Sequence, residues 1–101
     1  MGRADRPHRL PVEDALDLHA FAPRDVPSLV VEYLLAARAA GLAEVRLIHG
    51  RGRGVQRAAG HAAIASLPFV LAAREAPPER GGWGATVVVL APAPADTVAP
   101  A

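Results

Sequence analysis

The chain has 101 residues, of which 51% are hydrophobic, and its formal net charge is +1. This length fits one small domain and excludes a second, and the lack of cysteine excludes disulfides and thiolate metal sites. No segment reaches the roughly 18 apolar residues of a membrane span, and the first residues lack the apolar run of a secretory signal, so we expect a cytoplasmic protein without a membrane partner.

The two ends of the chain differ in composition from the rest. Residues 1–12 mix Arg, Pro, Asp and His without periodicity, and residues 92–101 are mostly Ala and Pro. Neither composition supports a packed core, so we expect both segments to be flexible tails. The folded domain is therefore predicted to cover residues 13–91.

The first predicted strand covers residues 15–19, where apolar and polar residues alternate. Alternation places Leu16 and Leu18 on one face of a strand and Asp17 and His19 on the other. The side chains of Asp17 and His19 are thus expected to be neighbours.

Two helices and a central strand follow. Apolar residues at helical spacing over 26–37 predict a helix that ends at Gly41. The β-branched and apolar residues of 44–49 predict the second strand. A second helix is predicted over 55–67, although Gly60 weakens it.

The last two strands are predicted over 69–74 and 85–90, and the residues between them form a loop too long for a tight hairpin. The predicted order is β-α-β-α-β-β. Right-handed crossovers make the first three strands parallel, and the last pair is predicted to be antiparallel. The sequence therefore predicts an α/β fold with a four-stranded mixed sheet.

A glycine-rich segment lies where the second strand ends and the second helix begins, and it reads His49-Gly50-Arg51-Gly52-Arg53-Gly54. Helix N-termini attract anions, glycines allow close backbone approach, and arginine suits phosphate oxygens. Arg57 adds a further cation, and no carboxylate occurs between residues 45 and 66. We predict that this segment binds a phosphate, although a tight turn with solvated arginines has the same pattern.

Known nucleotide loops do not match this segment. A Walker loop ends in Lys followed by Ser or Thr, and the dinucleotide fingerprint spaces its glycines differently. The favoured partner is therefore the backbone of RNA or DNA, with no nucleotide cofactor.

Asp17, His19 and His49 are the candidate catalytic residues. Two histidines can act as acid and base in RNA cleavage, where the 2′-hydroxyl is the nucleophile, and Asp17 can orient His19. Each residue alone is more often a structural hydrogen-bonding group. With one carboxylate near the site, a two-metal mechanism is disfavoured, and no metal or other cofactor is predicted.

A second glycine cluster, Gly81-Gly82-Trp83-Gly84-Ala85-Thr86, opens the last strand. We include Gly82, Trp83 and Gly84 among the candidate nucleic-acid-binding residues, because Trp83 can stack on a base. The alternative is that Trp83 caps the sheet. His8 and His61 have no partner spacing that suggests a metal site, and we interpret both as surface residues.

Three motifs together resemble the Smr (small MutS-related) domain family, and they are Leu16-Asp17-Leu18-His19, His49-Gly50-x-Gly52-x-Gly54 and Gly81-Gly82-x-Gly84-Ala85-Thr86. The resemblance covers about residues 12–91. It implies a two-layer sandwich similar to the C-terminal domain of translation initiation factor three, and a link to DNA nicking and RNA endonuclease activity.

The resemblance also implies roles for individual residues. Asp17, His19 and His49 would belong to the active site, with the three glycines of the second motif contacting substrate and Gly82 and Gly84 flanking it. The family usually has glycine after the first histidine, where this chain has Ala20.

The leading hypothesis is a nucleic-acid-binding Smr-like domain with endonuclease activity, RNA being favoured over DNA. The alternatives are an RNA- or DNA-binding module without catalysis and a protein-interaction adaptor.

Overall fold

The computed structural model describes residues 12–50 and 54–93, and of Trp83 it describes only the backbone. Apart from Val12 and residues 92–93, both predicted tails lie outside the described residues. No described helix has the length and apolarity needed to cross a membrane.

Four strands form one mixed sheet. They are β1 (Ala15–Asp17), β2 (Glu44–Ile48), β3 (Val70–Glu75) and β4 (Ala85–Leu90), and they lie in the order β1-β2-β4-β3. β1 is parallel to β2, whereas β4 is antiparallel to both β2 and β3. The predicted α/β class, the parallel direction of the first three strands and the antiparallel last pair are confirmed.

The helices are α1 (Val26–Ala39) and α2 (Val55–Ala65). Pro27 lies in the first turn of α1, where no helical hydrogen bond is lost. Gly41 ends α1 with φ +88°, and the amides of Gly41 and Leu42 donate to the carbonyls of Arg38 and Ala37. These two bonds form a Schellman motif, as the position of Gly41 in the sequence predicted.

The core lies between the helices and one face of the sheet. Val45 and Leu47 alternate with less buried residues along β2, so they share the face that packs against α1 and α2. The fully or nearly buried members of this cluster are Leu18, Val26, Val30, Leu34, Ala37, Val45, Leu47, Ala63, Ile64, Val88 and Leu90. Helices on one face and a sheet below them make a two-layer fold.

The other face of the sheet carries a small apolar cluster and an ionic network. Ile48 packs against buried Ala76, Ala85 and Val87. Further along the same face, the guanidinium of Arg80 donates to Glu44 at 3.0 Å. The residues between β3 and β4, predicted to be a long loop, form two short 3₁₀ turns that bring the chain across this face.

Candidate functional site

The candidate site lies at the edge of the sheet where β1 and β2 end. Asp17 is paired with Ile48 in the parallel register, so His19 and His49 both follow at this edge. The start of β4 reaches the same edge, because β4 runs antiparallel to β2. A hydrogen bond from Gln56 to the carbonyl of Phe21 brings the N-terminus of α2 there as well. The sheet therefore brings the three sequence motifs together.

Asp17 and His19 form an exposed pair. The backbone N–H of His19 donates to Asp17 Oδ1 at 3.1 Å, and His19 Nδ1 is hydrogen-bonded to the same oxygen. The His19 side chain is 65% exposed and that of Asp17 51%. The predicted proximity of these two side chains is thus observed, and the carboxylate fixes the orientation of an imidazole that solvent can reach.

The hydrogen bonds to Asp17 also affect its ionisation. The backbone N–H of His19 is the main cause that holds the pKa of Asp17 below its ordinary value of 3.8, and the His19 ring adds to the effect. Desolvation of the carboxyl opposes both. Asp17 is therefore a carboxylate at neutral pH.

Ala20 takes an ordinary backbone conformation. Within the described residues every positive φ belongs to a glycine, so the φ of Ala20 is negative. A glycine at this position is consequently not needed for backbone geometry in this chain.

The turn after β1 is tied to α2. The amide of Phe21 donates to the carbonyl of Leu18 at 3.0 Å, and the side-chain amide of Gln56 donates to the carbonyl of Phe21 at 2.7 Å. Gln56 lies in the first turn of α2, so this bond holds the Asp17–His19 pair at a fixed position relative to the helix N-terminus. The Phe21 side chain is 40% exposed beside it.

His49 differs from His19 in its surroundings. Only 6% of His49 is exposed. Its Nδ1 lies 2.9 Å from the Gly50 carbonyl oxygen, and its Nε2 lies 2.9 Å from the Thr86 hydroxyl. Both ring nitrogens therefore bond to protein atoms, so the two histidines suggested as an acid and base pair do not both face solvent.

His61 was interpreted from the sequence as a surface residue, and this interpretation is wrong. His61 is half-buried, its Nε2 lies 2.9 Å from the Thr86 hydroxyl, and its ring centroid is 6.3 Å from that of His49. Desolvation is the main cause that lowers the pKa of His61, and the electrostatic effects of Arg57 and then of His49 add to it. The sequence signal that could have revealed it is its spacing of three residues from the apolar Ile64 in the predicted helix, which places both on one side of α2.

The glycine-rich segment is described at its two ends. Gly50 has φ +80°, and Gly54, with φ +79°, is the N-cap residue of α2 and offers no side-chain cap. The first turn of α2 holds no acidic residue, and Arg57 is exposed on the helix. Arg51, Gly52 and Arg53 lie outside the described residues.

The second glycine cluster supports the first. The amides of His49 and Gly50 donate to the carbonyl of Gly84 at 3.0 and 2.9 Å, respectively. Gly82 has φ +55°, a conformation that favours glycine. The structure thus places Gly84 directly against the first cluster, while the predicted stacking side chain of Trp83 lies outside the description.

Metal-binding side chains do not cluster in the described parts of the chain. Within residues 12–50 and 54–93, no group of three or more His, Cys, Asp or Glu side chains could hold a metal ion.

Comparison with known sequences identifies relatives. A family model described as Smr domain matches residues 16–91. The chain is 39% identical over 77 residues to the Endonuclease MutS2 of Thermus thermophilus, which covers 76% of this chain and 10% of that protein. It is 38% identical over 79 residues to the Endonuclease MutS2 of Thermomicrobium roseum, covering 78% and 10%, respectively. The chain therefore matches about a tenth of the length of these relatives.

Two solved structures are similar in fold. The Smr domain of Thermus thermophilus MutS2 matches with a TM-score of 0.74 and 38% identity, covering 79% of this chain and 100% of that one. YdaL, a stand-alone small MutS-related protein from Escherichia coli, matches with a TM-score of 0.73 and 28% identity, covering 77% and 64%. The similarity covers most of the described residues.

Proposed function

The chain belongs to the Smr domain family, as its three motifs predicted, and from this premise we propose that it binds the phosphodiester backbone of nucleic acid at the edge formed by Asp17, His19 and the start of α2. The observation that carries the proposal is the exposed Asp17–His19 pair, tied through the turn at Phe21 to the N-terminus of α2. Relatives named endonucleases support a nucleic acid as the partner.

Phosphate binding is assigned to the first turn of α2. The amides at a helix N-terminus have no partners within the helix and attract anions. The N-cap Gly54 provides no side-chain acceptor for them, and no carboxylate in the first turn competes with a phosphate. Exposed Arg57 adds a cation within this first turn. Arg51 and Arg53 are proposed to contribute further charge, as their sequence positions predict.

Cleavage is assigned to His19. Because Asp17 is ionised and accepts a hydrogen bond from His19 Nδ1–H, the neutral imidazole carries its lone pair on Nε2. An exposed Nε2 of this kind is suited to remove the proton of a ribose 2′-hydroxyl, whose oxygen then attacks the adjacent phosphorus. The P–O5′ bond breaks, which leaves a 2′,3′-cyclic phosphate on one product. The released 5′-oxygen takes a proton from water, and His19 returns its proton to solvent. This chemistry favours RNA as the substrate and uses no metal or other cofactor.

Binding without cleavage is the second candidate function. The burial of His49 supports this candidate. Cleavage by two histidines needs a second exposed imidazole that protonates the leaving oxygen, and His49 is buried with both ring nitrogens bonded to protein atoms. In this case the same edge binds the backbone of RNA or DNA, and His19, oriented by Asp17, only donates a hydrogen bond to phosphate when its ring is protonated.

Binding is tested by titrating labelled single- and double-stranded RNA and DNA with the protein at two salt concentrations. We expect affinity to fall as salt rises, and Arg57→Ala to reduce the magnitude of the salt slope by about 1. Arg74→Ala is the matched control. Arg74 lies on β3, away from α2, and its guanidinium is 3.6 Å from the carboxylate of Glu44 on β2. Absence of binding to all four probes at low salt would refute the proposed function.

Cleavage is tested on structured RNA with the wild type and with His19→Ala, Asp17→Asn and His49→Ala. General-base catalysis by His19 predicts that His19→Ala lowers the rate by about 100-fold or more. If the wild type binds but cuts nothing at several pH values, with or without divalent metal, the binding-only candidate is correct.

A further inference from the structure

A hydrogen-bond chain runs through the interior behind the glycine-rich segment. It joins His61 on α2, Thr86 on β4 and His49 after β2, and it ends on the carbonyl of Gly50. All three hydrogen bonds measure 2.9 Å. Thr86 is 1% exposed. Within the described residues, the hydrogen-bond partners of its hydroxyl are these two imidazoles.

The chemistry of the groups fixes the direction of this chain when both rings are neutral. A carbonyl oxygen only accepts, so His49 Nδ1 must carry the proton that bonds to Gly50. His49 Nε2 is then an acceptor, and the single proton of Thr86 donates to it. Thr86 in turn accepts from His61 Nε2–H. These proton positions are assigned from the hydrogen-bond network.

The same geometry controls the backbone of Gly50. Its carbonyl is bonded by the His49 ring, and its amide donates to the carbonyl of Gly84 at 2.9 Å. Gly50 has φ +80°. A glycine can also adopt many other backbone conformations, so this one is not fixed by the residue type alone. Bonds on both sides of the residue restrict that freedom, so the glycine-rich segment begins from a fixed backbone.

We propose that Thr86 and His61 are positioning residues that hold His49 in its Nδ1–H tautomer, so that the His49 ring fixes the Gly50 carbonyl and preorganises the Gly50 backbone at the edge where phosphate is proposed to bind. This inference rests on the proposed function. Preorganisation strengthens binding because less conformational freedom is lost when the ligand arrives. The lowered pKa of His61 agrees with a neutral ring that donates to Thr86.

The hydrogen-bond chain is tested first by NMR of ¹⁵N-labelled protein, in which the chemical shifts of the ring nitrogens distinguish protonated from unprotonated nitrogens. The expected result is Nδ1–H for His49 and Nε2–H for His61 at neutral pH. Thr86→Val removes the hydroxyl with little change of shape, and we expect it to change the tautomer of His49 and to speed hydrogen exchange of the Gly50 amide. Thr86→Ser keeps the hydroxyl and should restore both readouts.

The affinity of the variants for a labelled single-stranded RNA then tests whether the hydrogen-bond chain contributes to phosphate binding. Thr86→Val should weaken binding about fivefold, the equivalent of one net hydrogen bond, and Thr86→Ser should recover most of the loss. His61→Gln, which changes a half-buried position and retains an amide donor, is a second variant if Thr86→Val does not fold. It should bind more tightly than His61→Ala.

The outcomes separate this inference from the proposed function. Wild-type His49 found as the Nε2–H tautomer, or Thr86→Val with unchanged tautomer, exchange and affinity, would overturn the inference while RNA binding stands. A wild type that binds no RNA would refute the proposed function and, with it, preorganisation for a phosphate. In that case the tautomer and Gly50 exchange would still decide whether the hydrogen-bond chain positions the Gly50 backbone.

Discussion

The two histidines of the candidate site use their ring nitrogens differently. His19 bonds Asp17 through Nδ1 and is largely exposed, whereas His49 bonds Gly50 and Thr86 and is buried. An imidazole whose nitrogens both bond to protein atoms cannot contact a substrate without breaking one of those bonds. At the scale of single residues, this difference supports the proposals that His19 transfers the proton and that His49 fixes the Gly50 backbone.

The ionisation of Asp17 provides a first prediction. Because the backbone N–H of residue 19 is the main cause of its lowered pKa, His19→Ala should return the pKa only part of the way towards 3.8. A carboxyl ¹³C NMR titration of wild type and variant measures this. A complete return would mean that the ring dominates.

The sign of the linkage follows from the same shift. A carboxyl whose pKa is lowered in the folded state stabilises the fold at every pH above its ordinary pKa. This contribution is lost as pH falls through the folded-state pKa. For Asp17 the loss therefore occurs below pH 3.8.

Tyr33 is the only tyrosine, and its hydroxyl donates to the carbonyl of Glu13 at 2.6 Å. Desolvation, and then the charges of Asp14 and Glu13, raise the pKa of Tyr33 from 10.0 to about 12. We predict an absorbance titration with its midpoint near that value and Tyr33→Phe as the blank. A midpoint near 10.0 would contradict the prediction.

Because the folded state favours the neutral phenol, the stability that Tyr33 contributes is complete below pH 10.0 and is lost as pH rises towards about 12. Urea unfolding of wild type and Tyr33→Phe across this window measures the loss. The difference between the two proteins should shrink as pH rises.

At the scale of elements, α2 has a glycine at its N-cap and another in its interior, and the two have opposite requirements. Gly54 has φ +79°, with nothing within 4 Å of an added Cβ, so Gly54→Ala should cost about 1–2 kcal/mol from backbone strain alone. An added Cβ at Gly60 would meet Leu18 Cδ1 at 3.7 Å, an ordinary contact, so Gly60→Ala should stabilise the helix by about 0.5–1 kcal/mol.

Chemical denaturation of the two variants measures both effects against the same wild type. Equal destabilisation by the two substitutions would contradict this account of α2. The comparison also measures how much stability Gly60, a poor helix former, costs the folded protein.

The packing of α1 is tested by two adjacent leucines. Leu34 is completely buried in the core, whereas Leu35 is an exposed large hydrophobic residue. Leu34→Ala should cost about 2–5 kcal/mol of unfolding free energy, and Leu35→Ala should change it by less than about 0.5 kcal/mol. Thermal or urea unfolding measures both, and a large loss in Leu35→Ala would mean that α1 packs through another face.

Most element boundaries were predictable because they depend on local patterns. β4 covers the predicted residues 85–90, and α2 begins at Val55 as predicted. β1 ends at Asp17 although the alternation continues to His19, because the amide of His19 bonds the Asp17 side chain and not a neighbouring strand. Competition between side-chain and ladder hydrogen bonds at a strand end is not visible as a periodicity.

At the scale of the whole molecule, β4 is the strand that joins the two halves of the sheet. It pairs with both β2 and β3, whereas β1 has three residues and pairs only with β2. We predict that native-state hydrogen exchange is slowest in β2 and β4 and at least about tenfold faster in β1. Exchange in β1 as slow as in β4 would show that the sheet opens only as a unit.

The sequence by itself determined the strands and helices and the proximity of Asp17 to His19, because each depends on residues close together in the chain. It also determined the family, because the three motifs are read directly from the residues in their order along the chain. The order of the strands depends on packing between distant segments. Insertion of β4 between β2 and β3 places Thr86 opposite Leu47, on the face that His49 continues. Only this tertiary pairing joins Thr86 to His49 and His61, which lie 37 and 25 residues away, and thereby separates the buried histidine from the exposed one.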